Sequence, residues 1–443
     1  MSAASPARRL FPVSVLFKPG VERREVVAWA LYDFANSGYS TVVITAVFSA
    51  WFVAGVAGGA PWATFAWTLA LSVSYALVMV AAPFVGAYAD RYAAKKKLLW
   101  LTTAGCVAGT AALAFAGPGA LVAAIAALVV SNFFFGLGEN LIAAFLPELA
   151  RPRALGRVSG WGWAVGYVGG LLSLGATLAL IHWAEAAGWG AGQYIPAAML
   201  LTAVIFAVAS LPTLLVLRER ARPQTAARPA WAEVRRTLSH LSELRDLRAF
   251  LICTVLYQAG IQAVITLAAI YAAEVFGFTT QKTIALVLVV NVTAAAGAFS
   301  FGFVQDRVGH VRAIALTLAG WLVMVGLAWG AVGEPLFWVA ANVAGLCMGA
   351  SQSAGRAMVG YLAPPAREAE FFGLWGLAVK AASIVGPLTY GAVSWATGGD
   401  HRQSLLITGG YFVLGLVALA GIRAGRGRRA AFRFDRRALR DAA

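Results

Sequence analysis

Four ionisable residues, Asp33, Glu139, Arg356 and Lys380, each interrupt an apolar stretch of the chain. A charged side chain at the centre of a bilayer costs about 2.5–3.5 kcal/mol on insertion scales. Unpaired, the four together would cost roughly 10 kcal/mol on that scale. Two acids and two bases sum to zero. Their chemistry is therefore ion pairing inside the protein, or pairing with a charged solute. Other polar residues share their helical faces. Asp33, Asn36 or Ser37, and Ser40 repeat at helical spacing, as do Asn132, Phe135 and Glu139. Gln258, Gln262 and Thr266 step by four, Gln352 and Arg356 do the same, and Asn291 adds an amide. These faces read as walls of a polar passage. In the competing reading, Asp33, Glu139 and Arg356 form an inner salt-bridge cluster that never meets solute. Counting from its span end, Lys380 lies about ten residues in, roughly 15 Å and near the midplane. It is the residue best suited to a solute carboxylate or a counter-ion. Tyr257 and Trp161 either line the passage or pack beside it.

Such residues need helices that cross a bilayer. The chain has 443 residues, 60% hydrophobic and 12% charged, about half the charge of a typical soluble protein. Apolar stretches of roughly 20 residues recur along it. They predict an all-α integral membrane protein with twelve transmembrane helices in two six-helix repeats. The spans begin near Val26, Trp62, Leu98, Gly119, Val158, Ile195, Phe250, Thr283, Val311, Leu336, Phe371 and Ser404. The expected organisation is a cytoplasmic arm (1–25), a six-helix bundle (26–217), a cytoplasmic linker (218–248), a second six-helix bundle (249–422) and a basic cytoplasmic tail (423–443). With the N-terminus inside, the inner face collects 31 of the 35 Lys and Arg. Only Lys282 and Arg402 fall outside, and Arg356 and Lys380 lie within spans. That asymmetry is the positive-inside signal. It explains the net charge of +16 as topology and attraction to anionic headgroups, and argues against nucleic acid. In the linker, "RERARPQTAARPA" reads as flexible. "WAEVRRTLSHLSELRDL" then places Trp231, Val234, Leu238, Leu241 and Leu244 on one helical face. That suits a helix on the inner membrane surface, with a disordered linker as the alternative.

Several chemistries are absent. There is no Walker-type loop, no H-E-x-x-H, no nucleophile elbow, and no cysteine beside a plausible base. Cys106, Cys253 and Cys347 sit in apolar runs as packing residues, and the four histidines share no metal-ligand spacing. The expectation is a non-enzyme with no cofactor and no metal. "LFPVSVLF" is too short for a cleavable signal and is interrupted by proline, so the first span is expected to act as the insertion signal.

The two halves echo each other. "GAYADRYAAKKK" and "GFVQDRVGHVR" both fit G-x-x-x-D-R followed by basic residues, at Gly86, Asp90, Arg91 and at Gly302, Asp306, Arg307. "PELARPRALGRVSGWGWAVG" faces "PPAREAEFFGLWGLAVK", aligning Trp161-Gly162 with Trp375-Gly376. This is an internally duplicated layout. The duplicated turn resembles the signature loop of the major facilitator superfamily, with Ala93 in the first copy where a glycine is usual and Gly309 kept in the second. "WALYDFANSGYSTVVITAVFSAWF", "SGWGWAVGYVGGLLSL", "FLICTVLYQAGIQAVITLAAIYAAEVFG" and "AEFFGLWGLAVKAASIVGPLTYG" resemble its vacuole-effluxer-like branch, which includes the autophagy-linked amino-acid effluxer of fungi. The likeness runs from Val26 to Gly391. One departure is Ala259 in "LYQAG", where the branch often carries an acidic residue.

The resemblance implies that spans 1, 4, 7 and 10 line a central cavity and that the two G-x-x-x-D-R turns latch spans by charge. Solvated positive-inside turns are the alternative for those motifs. The expected function is secondary active transport by alternating access, without a nucleotide site. The solute is expected to be small, polar and zwitterionic, such as an amino acid, with Asp33 meeting an ammonium and Lys380 or Arg356 a carboxylate. Efflux follows from the resemblance, and Asp33 or Glu139 would carry any proton coupling. A drug or metabolite exporter is the rival within the class, and a non-transporting membrane sensor using the basic linker and tail is the rival outside it. The expected setting is a bacterial inner membrane, with both termini cytoplasmic. A monomer is expected, because the two-half design needs no partner.

Overall fold

The computed structural model describes residues 16–221, 223, 235 and 241–440. Among them all regular secondary structure is helical; Phe17 and Ala150 form an isolated antiparallel bridge. Most of the expected arm and the proposed surface-helix residues Trp231, Val234 and Leu238 lie outside the described residues. At that helix's far end, Leu244 is buried and Leu241 packs against the core.

The first lobe contains α1 (Arg23–Tyr39), α2 (Phe48–Trp51), α3 (Ala63–Tyr92), α4 (Lys95–Ala112), α5 (Leu121–Ala143), α6 (Leu146–Leu149), α7 (Leu155–Ala186) and α8 (Ala191–Val216). The second contains α9 (Arg245–Phe276), α10 (Thr280–Val308), α11 (His310–Gly330), α12 (Glu334–Leu362), α13 (Glu368–Ala396) and α14 (His401–Ala420), and α15 (Ala424–Arg440) follows. Among the described residues, eleven helices are long and apolar enough to cross a membrane. The expected span near Leu336 forms α12, a continuous helix that stands outside those eleven. Its Asn342, Ser351, Gln352, Ser353 and Arg356 lower its hydropathy, and the last four are buried in protein. Lipid-facing side chains such as Phe65, Leu69, Val80 and Phe84 are exposed along α3. In water that belt would be untenable; in a bilayer it is the solvated face.

Helix ends follow local chemistry. Asp400 caps α14 by accepting from Gln403 N at 3.0 Å, and Gly277 closes α9 in the left-handed region. After Tyr39 the first span widens into π-helix over Ser40–Ala46 and again over Phe52–Val56, a form enriched at functional sites. The two G-x-x-x-D-R turns also end in left-handed residues, Ala93 at φ 47° and Gly309 at φ 89°. A side chain there costs about 1–2 kcal/mol. Ala93→Gly is therefore expected to stabilise the protein by about 1 kcal/mol, less than the full strain because glycine also loosens the unfolded chain. Thermal melting of the purified variant checks this; an unchanged or lower midpoint contradicts it.

The tail is a docked helix. Arg426 forks onto Asp246 with both bonds at 2.7 Å, and Arg428 donates to the Tyr361 carbonyl. Asp435 accepts from Ala366 N at 2.9 Å, in the 3-10 turn Pro365–Arg367 that precedes α13. Burial pushes the Asp435 carboxyl up to about 6.

Candidate functional site

The four in-span charges form two ion pairs, and each pair joins the two lobes. Asp33 on α1 meets Arg356 on α12 at 2.7 Å. The guanidinium also donates to Ser159 Oγ and to the Ser159 carbonyl, and lies between the rings of Trp29 and Trp163 at 4.7 and 5.3 Å. The Ser159 hydroxyl in turn donates to the Ser353 carbonyl across the lobes at 2.9 Å. Each guanidinium nitrogen thus has one acceptor among the described residues, the hydrogen bonding a buried ion pair requires.

Glu139 on α5 meets Lys380 on α13 at 3.4 Å. In the fold, Glu139 lies four residues before the end of α5, but the short helix α6 follows and carries the span on to Leu149. Lys380 sits over the rings of Tyr75 and Phe135 at 5.1 and 5.9 Å, and cation–π contact offsets part of its desolvation. The two pairs differ in access. The side chains of Arg356 and Asp33 are 3% and 10% exposed, against 11% and 33% for Lys380 and Glu139.

The end of the bundle that carries α15, the basic end, is bridged between the lobes by both G-x-x-x-D-R turns. Asp90 accepts from Ala369 N and Glu370 N at 3.1 and 2.8 Å, capping α13 of the other lobe. Asp306 accepts from Gly156 N at 3.0 Å and from Arg157 Nε at 2.6 Å, capping α7. A carboxylate at a helix N-terminus is stabilised by the unpaired N–H groups and the helix dipole. Gly86 and Gly302 allow the approach: a Cβ at Gly302 would lie 2.7 Å from the Gly156 carbonyl, and one at Gly86 would strike that of Ala369. Among the described residues Arg91 covers the Tyr92 ring, and Arg307 is exposed. The arginines of the two motifs therefore stand outside the caps that the aspartates form.

The chain matches the family described as "Vacuole effluxer Atg22 like" over residues 62–432. It belongs to that family. It is thus a transporter of the major facilitator type, an integral membrane protein and not an enzyme. The MFS-type transporter YxiO of Bacillus subtilis is 27% identical over 89% of this chain and 93% of its own length. Autophagy-related protein 22 of Pyricularia oryzae is 27% identical over 54% of this chain, which spans 39% of that protein. The human organic anion transporter MFSD10 superposes with a TM-score of 0.70 at 17% identity, covering 91% of this chain and all of that one. A bacterial homologue of ferroportin in its outward-facing state gives 0.69 at 15% identity, covering 90% and 99%.

Within this Atg22-like chain the remaining expected residues divide. Gln258 donates to Gln352 at 2.9 Å within the second lobe. Asn36 is buried with an unpartnered Oδ1, and Ser37 lies against Gly166 on α7. Gln262 is half-buried, Thr266 exposed, and Asn291 spends its amide on Val287 of its own helix. Asn132 donates to Ser74 inside the first lobe.

Sequence reasoning missed Lys95. It counted as one of three topological lysines in "KKK", yet it is almost wholly buried and its Nζ reaches Glu148 at 2.9 Å, Asp90 at 3.4 Å and Glu368 at 3.7 Å. Its spacing, five residues after Asp90 and one turn below the cap, was the available signal. Glu219 beside it caps α4 through Lys95 N and Lys96 N, and burial raises its carboxyl above the usual range. Ser159, Trp29, Trp163 and Tyr75 were also missed, since aromatic and hydroxyl residues in apolar runs carry no separate signal.

Proposed function

We propose that this Atg22-like transporter moves a small zwitterion, such as an amino acid, out of the cytoplasm by alternating access. The observation that carries this reading is the pair of lobe-to-lobe ion pairs with unequal access. Asp33–Arg356, the more buried pair, with an acceptor for each guanidinium nitrogen, acts as a lock. Glu139–Lys380, the more exposed, offers a carboxylate and an ammonium about one salt bridge apart, matching the two charges of a zwitterion. Binding exchanges the protein's own pair for two new ones, so no net charge enters the membrane interior and the desolvation cost changes little.

In this reading α12 is the tenth span and completes the set of twelve, and the basic end is cytoplasmic, as the Lys and Arg distribution requires. With that end closed by the Asp90 and Asp306 caps, the structure corresponds to the outward-facing side of the cycle. Release of both caps and of Asp33–Arg356 opens the cytoplasmic side. A proton on Glu139 frees Lys380, which provides the coupling route without the carboxylate that Ala259 replaces. The setting is the plasma membrane of a bacterium, and the transporting unit is a monomer with anionic lipid at its basic end.

Lys380→Ala is expected to abolish solute counterflow in proteoliposomes, a loss of at least 100-fold, while Lys380→Arg retains part of it. Binding of the solute carboxylate would lose a charge-assisted contact worth about 1.5–3 kcal/mol, and Glu139 would be left unpaired. Full counterflow by Lys380→Ala would refute the assignment. So would the absence of counterflow of any amino acid by the wild type.

A further inference from the structure

The lobes echo each other at the buried ion pair, and the echo is incomplete. Arg356 lies six residues before Leu362 in "GRAMVGYL", and Asn140 lies six before Leu146 in "ENLIAAFL". Arg356 reaches into the notch left by Gly162 on α7, where a Cβ would lie 2.6 Å from its Nη2. Asn140 reaches into the matching notch left by Gly376 on α13, where a Cβ would overlap its amide. Asp33 follows Leu31-Tyr32 as Gln258 follows Leu256-Tyr257. Each of these tyrosines places its hydroxyl against a glycine on another helix of its own lobe, Gly138 on α5 for Tyr32 and Gly355 on α12 for Tyr257.

The charged couple is paired and the neutral couple is not. Among the described residues, Asn140 Nδ2 and Gln258 Oε1 are both buried and without a hydrogen-bond partner. A buried amide group left unpaired is costly, so a retained one marks a place where a partner arrives. On α13, Lys380 lies one turn beyond Gly376, on the same face, and Glu139 immediately precedes Asn140. The unpaired N–H, lodged against Gly376, therefore lies about one helical turn along α13 from Lys380, the cation of the more accessible pair.

We propose that Asn140 is a solute-binding residue: its amide N–H joins Lys380 in holding the carboxylate of a zwitterion while Glu139 takes the ammonium. This rests on the reading under Proposed function and adds to it a residue and the solute group it recognises. A second arginine in this place would pair with its neighbours and form a second lock. A neutral donor leaves the final bond to the solute.

The test uses the full-length protein in proteoliposomes, with the common L-α-amino acids as counterflow substrates and their decarboxylated amines as inhibitors. Asn140→Ala is expected to raise KM for the accepted amino acid about tenfold or more, the loss of one charge-assisted hydrogen bond. Inhibition by the matching amine, which lacks the carboxylate, is expected to stay unchanged. Asn140→Asp has the same shape and presents a carboxylate, so it guards against a folding defect in the alanine variant and is expected to raise KM further. Wild-type KM in both variants overturns the role of Asn140 and leaves the transport reading standing. No counterflow by the wild type with any amino acid overturns both.

Discussion

Arg356→Leu is expected to destabilise the protein by about 3–5 kcal/mol, because it leaves a buried carboxylate without its cation. Asp33 would keep no charged partner, Ser159 would lose the donors to its hydroxyl and carbonyl, and Trp29 and Trp163 would face a cavity in place of a guanidinium. The lock that joins α1 to α12 would be gone, so the basic end is also expected to admit water-soluble thiol reagents at a cysteine placed at Ser353. The companion variant separates charge from packing. Asp33→Asn/Arg356→Leu removes both charges, and it is expected to melt well above Arg356→Leu alone. A double-mutant cycle reads the coupling directly. If Arg356→Leu melted within about 1 kcal/mol of the wild type, the pair would not hold the lobes, and the lock would have to be sought among the backbone caps.

Lys95→Met is expected to be the most damaging single substitution at the basic end. Lys95 is the cation that Asp90, Glu148 and Glu368 share, and all four side chains are buried. Without it three carboxylates would crowd one dry volume, and breaking one such pair already costs about 3–5 kcal/mol. The consequence reaches transport through the latch. Asp90 caps α13 only as a carboxylate, since a protonated acid is a poor acceptor for two N–H groups at once. A proton forced onto Asp90 by its neighbours would loosen the cap on Ala369 and Glu370. Lys95→Met is therefore expected to fall sharply in folded yield and to lose counterflow. Adding Glu148→Gln and Glu368→Gln is expected to recover folded protein. Recovery of yield without recovery of transport would assign those acids a role in the cycle as well as in the fold. A single Lys95→Met variant with wild-type yield and melting would remove the cluster from the account.

Much of the site was legible beforehand because cost is local. Any ionised residue in a run of apolar neighbours is conspicuous, so Asp33, Glu139, Arg356 and Lys380 stood out, and their neutral sum required pairing. The turns at Gly86–Arg91 and Gly302–Arg307 were legible because they occur twice. The arginines of those turns drew attention that belonged to the aspartates, since a charge next to a charge looks like a unit on paper. Lys95 was hidden by its neighbours Lys96 and Lys97, because three lysines in a row read as solvated topology. Asn140 was hidden by Glu139 for the same reason. Asn291 shared its residue type with pathway walls, but its amide found the carbonyl one turn back on its own helix, an outcome open to any helical asparagine.

The sequence by itself determined that this chain is built of bilayer-crossing helices in two related sets, which face bears the basic residues, and which residues are too costly to leave alone. Those properties depend on neighbours along the chain, namely hydropathy over about 20 residues and repeats of short motifs. Only the tertiary structure decided the partners. Asp33 finds Arg356 323 positions away, and Glu139 finds Lys380 241 positions away. Partner choice depends on how each helix is rotated and how closely two helices approach. Glycine notches on each lobe, Gly162 on the first and Gly376 on the second, set that approach for side chains of the other lobe. That information is distributed between lobes and takes effect only when they pack.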